Sequence, residues 1–271
     1  MPARGAYSSE ERRTIRSYYR AEADAYAAAW APVLASFAAP LFDAIGIRPD
    51  DRVLDIGCGT GTALRERMGG SALAAGLDLT VEMLSHARAP GTRLVAGDAT
   101  ALPFRERSFD VALSNFVLHH FRAQQAALRE ARRVLSARGR MGITVWGRGA
   151  MDSPAFLAWD GLLDRFGAPA DPEPPRSWER LHDTPEKARR LLERAGFGDV
   201  RAWSETRTHD AGAGAFVLHA KRIGAPARRL AALSPERRES FLEEATRAMS
   251  ALPRGAFTWR GETVYALGCA R

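Results

Sequence analysis

Cysteine is nearly absent from this chain: Cys58 and Cys269 are the only two in 271 residues, far apart, with no C-x-x-C pair and no histidine cluster beside them. That scarcity argues against a disulfide framework, an iron–sulfur cluster and a cysteine-built zinc site. Lysine is almost missing as well. Of 39 basic residues only Lys187 and Lys221 are lysines, so the formal charge of +7 rests on arginines spread along the chain and interleaved with Glu and Asp. No basic run alternates with aromatic residues, and a nucleic-acid partner is not expected. Long apolar runs are missing too. The alanine-rich stretch over residues 21–44 is broken by Glu22, Asp24, Pro32 and Pro40, and the first residues run into charge, so neither a signal peptide nor a membrane span is expected and the reading is of a cytoplasmic protein. What remains, 46% hydrophobic and 26% charged residues, is the composition of a folded globular chain of one decorated domain.

The periodicity predicts a helical extension over residues 1–46, with Pro32 near a start or kink and Gly46 as its stop. From residue 47 strands and helices alternate. Strands are expected at Arg52–Ile56, Leu73–Leu77, Thr92–Ala96, Phe109–Ser114 and Met141–Trp146, with helices to about Met68, at Thr80–Ala87 and at Ala123–Leu135. Such alternation implies an α/β fold, a doubly wound and mostly parallel sheet of seven strands. Residues 147–183, rich in proline and small residues, are expected to be a surface cap insertion without a core element. A helix follows with Thr184 as cap, Pro185 in its first turn and Gly196 as stop, then a strand at Val200–Thr206. A second cap insertion, 208–255, holds a helix from Ser234-Pro235 to about Leu252, and Thr263–Cys269 is the last strand. The domain thus runs 47–271 with two insertions.

The sharpest motif is Val53-Leu54-Asp55-Ile56-Gly57-Cys58-Gly59-Thr60-Gly61, where the first strand turns into the first helix. Its glycines permit a tight turn and close approach of a ligand to the backbone at the sheet's crevice. A pyrophosphate fingerprint would need a third glycine where Thr62 stands, and a phosphate loop would need a lysine that is missing. Asp55 suits a cationic or amine-bearing ligand instead. About twenty residues on, Asp78 ends the second strand, where an acid accepts ribose hydroxyls. Asp98 ends the third, within reach of an exocyclic amine, and Leu79 and Met83 could flank an adenine ring. Each acid alone is more often a turn or cap residue, but three at successive strand ends on one side of a sheet point to one ligand.

With these motifs the sequence resembles the class I S-adenosylmethionine-dependent methyltransferases. VLDIGCGTG matches their first motif, and LDLTVEML, GDATALPF, FDVALSNFVLHHF and LREARRVLSARGRMGITVW extend the match over roughly residues 50–147. The resemblance is closest to the ubiquinone/menaquinone-biosynthesis-like (type 11) subgroup, which also includes natural-product and sugar methyltransferases. It implies S-adenosylmethionine as cofactor: Asp55, Gly57, Cys58, Gly59 and Gly61 around the methionine part, Asp78 and Leu79 at the ribose and adenine, Met83 on the ring, Asp98 and Ala99 at the adenine amine, and the Asn115 backbone near the sulfonium. Cys58 is expected to pack, not to react. Of Tyr18, Tyr19 and Tyr26 in the N-terminal helices, which fold over the pocket in relatives, one is expected to bond the methionine carboxylate, with Tyr19 the choice.

A methyl already activated on a sulfonium needs an aligned acceptor, and a base only where the acceptor is a hydroxyl. His119 and His120, just past the fourth strand, are the candidate bases, with packing as the competing role; Trp146-Gly147 stands where some relatives carry an acid. His182, His209 and His219 are expected to be solvated or locally bonded. No metal set can be placed, and none is expected. Trp30, Phe37, Trp146, Phe156, Trp159 and Trp178 are candidates to line an apolar acceptor pocket. The resulting expectation is O- or C-methylation of a small aromatic, polyketide-like or glycosidic acceptor. RNA or protein methylation is the alternative, weakened because SNFVLHHF stands where the Asn/Asp-Pro-Pro-Tyr/Phe motif would be, and a non-methylating reaction in the same fold is a third.

Overall fold

The computed structural model describes residues 9–68, 70, 73–88, 91–120, 123–148, 152–171 and 182–271. Helix α1 (Ser9–Ala25) runs through a π-helical turn (Tyr26–Trp30) into α2 (Ala31–Ile45), the Ala31 N–H reaching back to the Tyr26 carbonyl. Proline sits in the first turn of α2, and Gly46, at φ +62°, ends the helix. Residues Arg12–Ile45 are long and apolar enough by composition to cross a membrane. Here that apolarity faces the sheet: Val33, Phe37 and Leu41 are fully buried, and Tyr265 donates its hydroxyl to the Phe37 carbonyl at 2.7 Å.

The alternating portion comprises β1 (Arg52–Ile56), α3 (Thr62–Arg67), β2 (Leu73–Asp78), α4 (Val81–His86), β3 (Thr92–Ala96), β4 (Phe109–Asn115), α5 (Gln124–Val134) and β5 (Leu135–Trp146). A cap helix α6 (Pro154–Arg165) follows, then α7 (Pro185–Arg194), β6 (Phe197–Asp210), the helices α8 (Gly212–Arg222), α9 (Gly224–Ala231) and α10 (Pro235–Ser250), and β7 (Thr258–Ala270). The sheet order is β3-β2-β1-β4-β5-β7-β6, parallel except for β7, which runs antiparallel to both its neighbours. Successive connections leave β1 toward opposite edges of the sheet, so a crevice opens between the carboxyl ends of β1 and β4.

The first five strands fall where the alternation put them, β5 beginning six residues earlier and β6 and β7 extending well beyond their expected cores. The expectation for residues 147–183 needs correction. Between its loops α6 is a core helix, capped by the Ser153 hydroxyl, with Trp159 and Leu163 buried. Two further helices, α8 and α9, were unrecognised because small residues and glycine dilute their apolar pattern. The two insertions do not stand apart: Trp159 packs edge-on to Phe241 of α10 at 5.1 Å between ring centroids, and buried Arg229 of α9 bonds Asp160 and Asp164 of α6. They form one cap, tied to α1 by Arg228 over the Tyr18 ring and by the Gly224 N–H on the Glu22 carboxylate.

Candidate active site

The turn from β1 into α3 takes positive φ at Gly57 (+75°), Gly59 (+53°) and Gly61 (+71°), a conformation that side chains with a Cβ resist. At Gly57 space is limiting as well, since a Cβ would lie 2.5 Å from the Val117 side chain. The turn is pinned to the end of β2. The N–H groups of Gly57 and Cys58 both donate to the Leu77 carbonyl, and that of Gly59 to the Asp78 carboxylate at 2.9 Å. Three of the N–H groups that would cradle a phosphate are therefore already in use. Asp78 also accepts the Thr80 N–H at 2.9 Å, and burial pushes its carboxyl up against the pull of these bonds.

Above the turn lies a cleft in two lobes. The larger, about 650 Å³ including its mouth, is walled by Ile15 and Tyr19 of α1, by Asp78, Leu79, Thr80 and Met83, by Asp98 and Ala99, and by Phe116, Val117 and His120. The smaller, about 440 Å³, is walled by Asp55, Cys58, Thr60, Thr62 and Leu34. Tyr26, Gly57, Gly59 and Asn115 belong to both. The Tyr26 ring stands over Gly59, and burial together with Asp78, Glu22 and Asp55 holds its hydroxyl above the ordinary phenol range. Asp55 is 2% exposed, and burial reinforced by Asp78 pushes its carboxyl up to about 7. Such an acid lacks a cation. Burial also holds the Cys58 thiol well above its ordinary range, leaving it a packing residue.

Of the residues anticipated at the cofactor, Asp55, Gly57, Cys58, Gly59, Asp78, Leu79, Met83, Asp98, Ala99, Asn115 and Tyr19 line the cleft. Gly61 does not; it lets the backbone pass Ala87, whose Cβ is 2.6 Å from where a Gly61 Cβ would be. Asp98 has partners on both oxygens, the Thr100 N–H and hydroxyl on one at 2.8 Å and Arg12 on the other at 3.2 Å. Arg12 begins a stripe along α1: Arg16 donates to the Leu79 carbonyl, Arg20 pairs with Glu82, and Asp24 with His86, each four residues after the last. That ridge straps the helix across the cleft's mouth. Tyr19 lies in the larger lobe with its hydroxyl 2.6 Å from His120 Nε2, on the turn Leu118–His120. His119 stacks on His120, with 3.9 Å between ring centroids, and lines neither lobe.

Beside Asn115, Phe116 adopts φ +54°, a conformation costing about 1–2 kcal/mol in a bulky residue. Its N–H on the Thr144 carbonyl at 2.8 Å and its ring stacked on Trp146 at 4.2 Å hold it there. Trp30, Phe37, Trp146, Phe156 and Trp159 line neither lobe. Trp146, Trp30, Phe37 and Phe156, with Trp259, form an aromatic layer behind Phe116, and Trp159 lies in the cap core. Trp178 falls outside the described residues. His182 and His219 are buried, not solvated: His182 pairs with Gln124 at 3.2 Å, His219 stacks against Trp30, and burial lowers both to about 4. His209 is half-buried and lowered in the same sense.

Sequence reasoning passed over Thr60, Thr80 and Ile15. Thr60 and Thr80 follow directly on the glycine motif and on the Asp78 strand end, and both carry buried hydroxyls with no hydrogen-bond partner among the described residues; the Asn115 amide nitrogen is in the same condition. Orphaned polar atoms at three points of one cleft, a buried acid and a turn without side chains fit an amino-acid nucleoside with a cationic end.

Comparison with known proteins agrees with that chemistry. A methyltransferase-domain family model matches residues 54–143. A demethylmenaquinone methyltransferase of Mycobacterium sp. (strain KMS) is 32% identical over 184 residues, covering 65% of this chain and 78% of that protein. The homologous enzyme of Mycolicibacterium vanbaalenii is 30% identical over 180 residues, with 66% and 79% covered. Among solved structures, the YcgJ protein of Bacillus subtilis superposes with a TM-score of 0.53 at 20% identity, over 86% of this chain and 97% of that one. Phosphoethanolamine N-methyltransferase 2 of Haemonchus contortus, in complex with S-adenosyl-L-methionine, gives 0.55 at 16% identity, over 98% of this chain and 61% of that one.

Proposed function

Because the chain belongs to the class I S-adenosylmethionine-dependent methyltransferases, in their ubiquinone/menaquinone-biosynthesis-like group, we propose that it methylates a small planar acceptor at oxygen or carbon, with Asp55 and Asp78 holding the cofactor and His120 serving the acceptor. That it is a methyltransferase and that S-adenosylmethionine is its cofactor follow from the family. Bound in the cleft, the cofactor supplies an electrophilic methyl group on sulfur.

The protein's own residues bind and orient. The smaller lobe takes the amino-acid end: the Asp55 carboxylate receives its ammonium, and the Thr60 hydroxyl is free to donate to its carboxylate. In the larger lobe Asp78, already braced by Gly59 and Thr80, meets the ribose, while Leu79, Met83 and Ala99 sandwich the adenine. Asp98 is left one weakly engaged oxygen for the adenine amine, shared with Arg12. Tyr26 covers the junction of the lobes and helps exclude water. At the acceptor end, the Tyr19 hydroxyl passes a proton to His120 Nε2 as it takes one from an acceptor hydroxyl, so the proton comes to rest on the imidazole. Phe116, backed by Trp146, offers a flat wall for an aromatic acceptor.

The observation that carries this reading is the two-lobed cleft with a cation-starved acid in one lobe and the Tyr19–His120 pair in the other. Incubation with methyl-labelled cofactor and mixed small molecules, RNA and protein tests it by mass spectrometry. Label is expected on a small molecule, and His120→Ala should lose roughly 10²–10⁴-fold in turnover with affinity for S-adenosylhomocysteine unchanged. Label on RNA or protein, or an altered substrate without label, refutes it.

A further inference from the structure

The lobe junction carries one polar group that cofactor binding alone leaves unexplained. Asn115 is the last residue of β4, in register with Thr144 of β5, and the Thr144 hydroxyl donates to its side-chain oxygen at 2.8 Å. Thr144 is fully buried, so that bond fixes which way the amide faces. The other end, Nδ2, is buried without a hydrogen-bond partner among the described residues, in a side chain that lines both lobes. An amide NH₂ held in this way donates only. It is the positive end of a dipole and gains nothing beside a sulfonium or an ammonium.

The carboxylates around it are committed elsewhere. Asp78 is braced by two backbone N–H groups and Asp98 by Thr100 and Arg12, which leaves Asp55, at the opposite end of the smaller lobe, as the acid for an ammonium. Next to Asn115 stand Phe116, Val117 and His120, none of them an anion. A charged amine acceptor would meet a donor and no counter-charge there, whereas an oxygen lone pair would meet a fixed N–H.

We propose that the Asn115 amide is the specificity-determining contact for the acceptor, and that it selects a compound presenting an oxygen (a phenol, an enol or a quinol) over its amine counterpart. This rests on the methyl-transfer reading above and names the acceptor class within it. Asn115 is a positioning residue: it orients the oxygen that reacts, or the one beside the carbon that reacts, while His120 and Tyr19 handle the proton.

A shape-matched pair tests the idea. 1-Naphthol and 1-naphthylamine are titrated by fluorescence into the protein saturated with S-adenosylhomocysteine, for the natural chain and for Asn115→Leu, Asn115→Asp and Thr144→Val. The natural chain should prefer the naphthol by roughly tenfold, about the worth of one buried hydrogen bond. Asn115→Leu should erase the preference and Asn115→Asp should invert it, because a carboxylate accepts from an amine and cannot donate. Thr144→Val, which keeps Asn115 but unpins it, should weaken the preference. The affinity for S-adenosylhomocysteine should stay within about twofold throughout, since none of these changes touches the backbone at position 115. A preference unaltered in Asn115→Leu overturns the proposal, as does failure of both naphthalenes to bind below millimolar concentration. A roughly tenfold loss of S-adenosylhomocysteine affinity in Asn115→Leu with the preference retained also overturns it, assigning the amide to the cofactor's carboxylate and leaving the methyl-transfer reading intact. No S-adenosylhomocysteine binding by the natural chain would refute that reading itself.

Discussion

Acidification should weaken cofactor binding through a single carboxyl. With Asp55 at about 7 in the ligand-free cleft, it is about nine-tenths ionised at pH ~8 and about one-tenth at pH ~6. A ligand ammonium needs the anion, so S-adenosylhomocysteine should bind roughly tenfold more weakly at the lower pH, about 1.4 kcal/mol. The bound cation favours the ionised form and pulls the carboxyl down, so at pH ~6 binding should release close to one proton, read by calorimetry in buffers of different ionisation enthalpy. Stability should move in the opposite direction. Since the folded-state carboxyl lies above its ordinary 3.8, the folded chain holds a proton that the unfolded chain gives up, and Asp55 adds about 1.4 kcal/mol of stability as the pH falls from ~8 to ~6. His182 and His219 oppose it. Both are lowered to about 4, the unfolded chain protonates them first, and each costs about 0.8 kcal/mol at pH ~6. The natural chain's melting temperature should therefore be nearly flat over this window, while Asp55→Asn should lose about 3–5 °C on acidification relative to it and show no pH slope in ligand affinity. Equal affinity slopes for the two chains, or no slope in the natural one, would refute the assignment of Asp55 to an ammonium.

Gly57→Ala should destabilise the fold and abolish S-adenosylhomocysteine binding, because it combines positive φ with a 2.5 Å approach to Val117; Val117→Ala in the same chain should recover part of the stability, measured by denaturant titration. Asp78→Ala leaves the Gly59 and Thr80 N–H groups without their acceptor, and calorimetry should find at least roughly tenfold weaker S-adenosylhomocysteine binding. Trp159→Ala, deep in the cap core, should cost about 3–5 kcal/mol in denaturant unfolding while leaving S-adenosylhomocysteine affinity unchanged well below the melting temperature; a tenfold affinity loss there would show that the cap shapes the cofactor cleft.

Much of the fold was legible because its determinants are local. Strands β1 to β4 are short apolar runs closed by glycine or acid, and Thr184-Pro185 announces α7 by capping and proline placement alone. The cap was harder to read. In α8 the run Gly212-Ala213-Gly214-Ala215 carries little helical signal, and the helix forms because Phe216 and Ala220 bury against residues from other elements. Trp159 could be read as a pocket wall or as core, and only its packing on Phe241 decides for core. Among the cleft residues, the acids and glycines were legible from their places at strand ends. Thr60 and Thr80 were not, because a hydroxyl becomes informative only once its burial and want of a partner are known.

By itself the sequence determined the turn between β1 and α3, the three acids at consecutive strand ends and hence the kind of ligand, since each depends on residues a few positions apart. The tertiary structure decided what depends on residues far apart in the chain. Tyr19 meets His120 across 101 positions, Thr144 turns the Asn115 amide across 29, and Tyr26 comes to stand over Gly59. Whether a histidine reaches the cleft, which end of an amide faces it and how far burial lifts Asp55 are set by the packing of whole elements on the sheet, and no spacing within one segment encodes that.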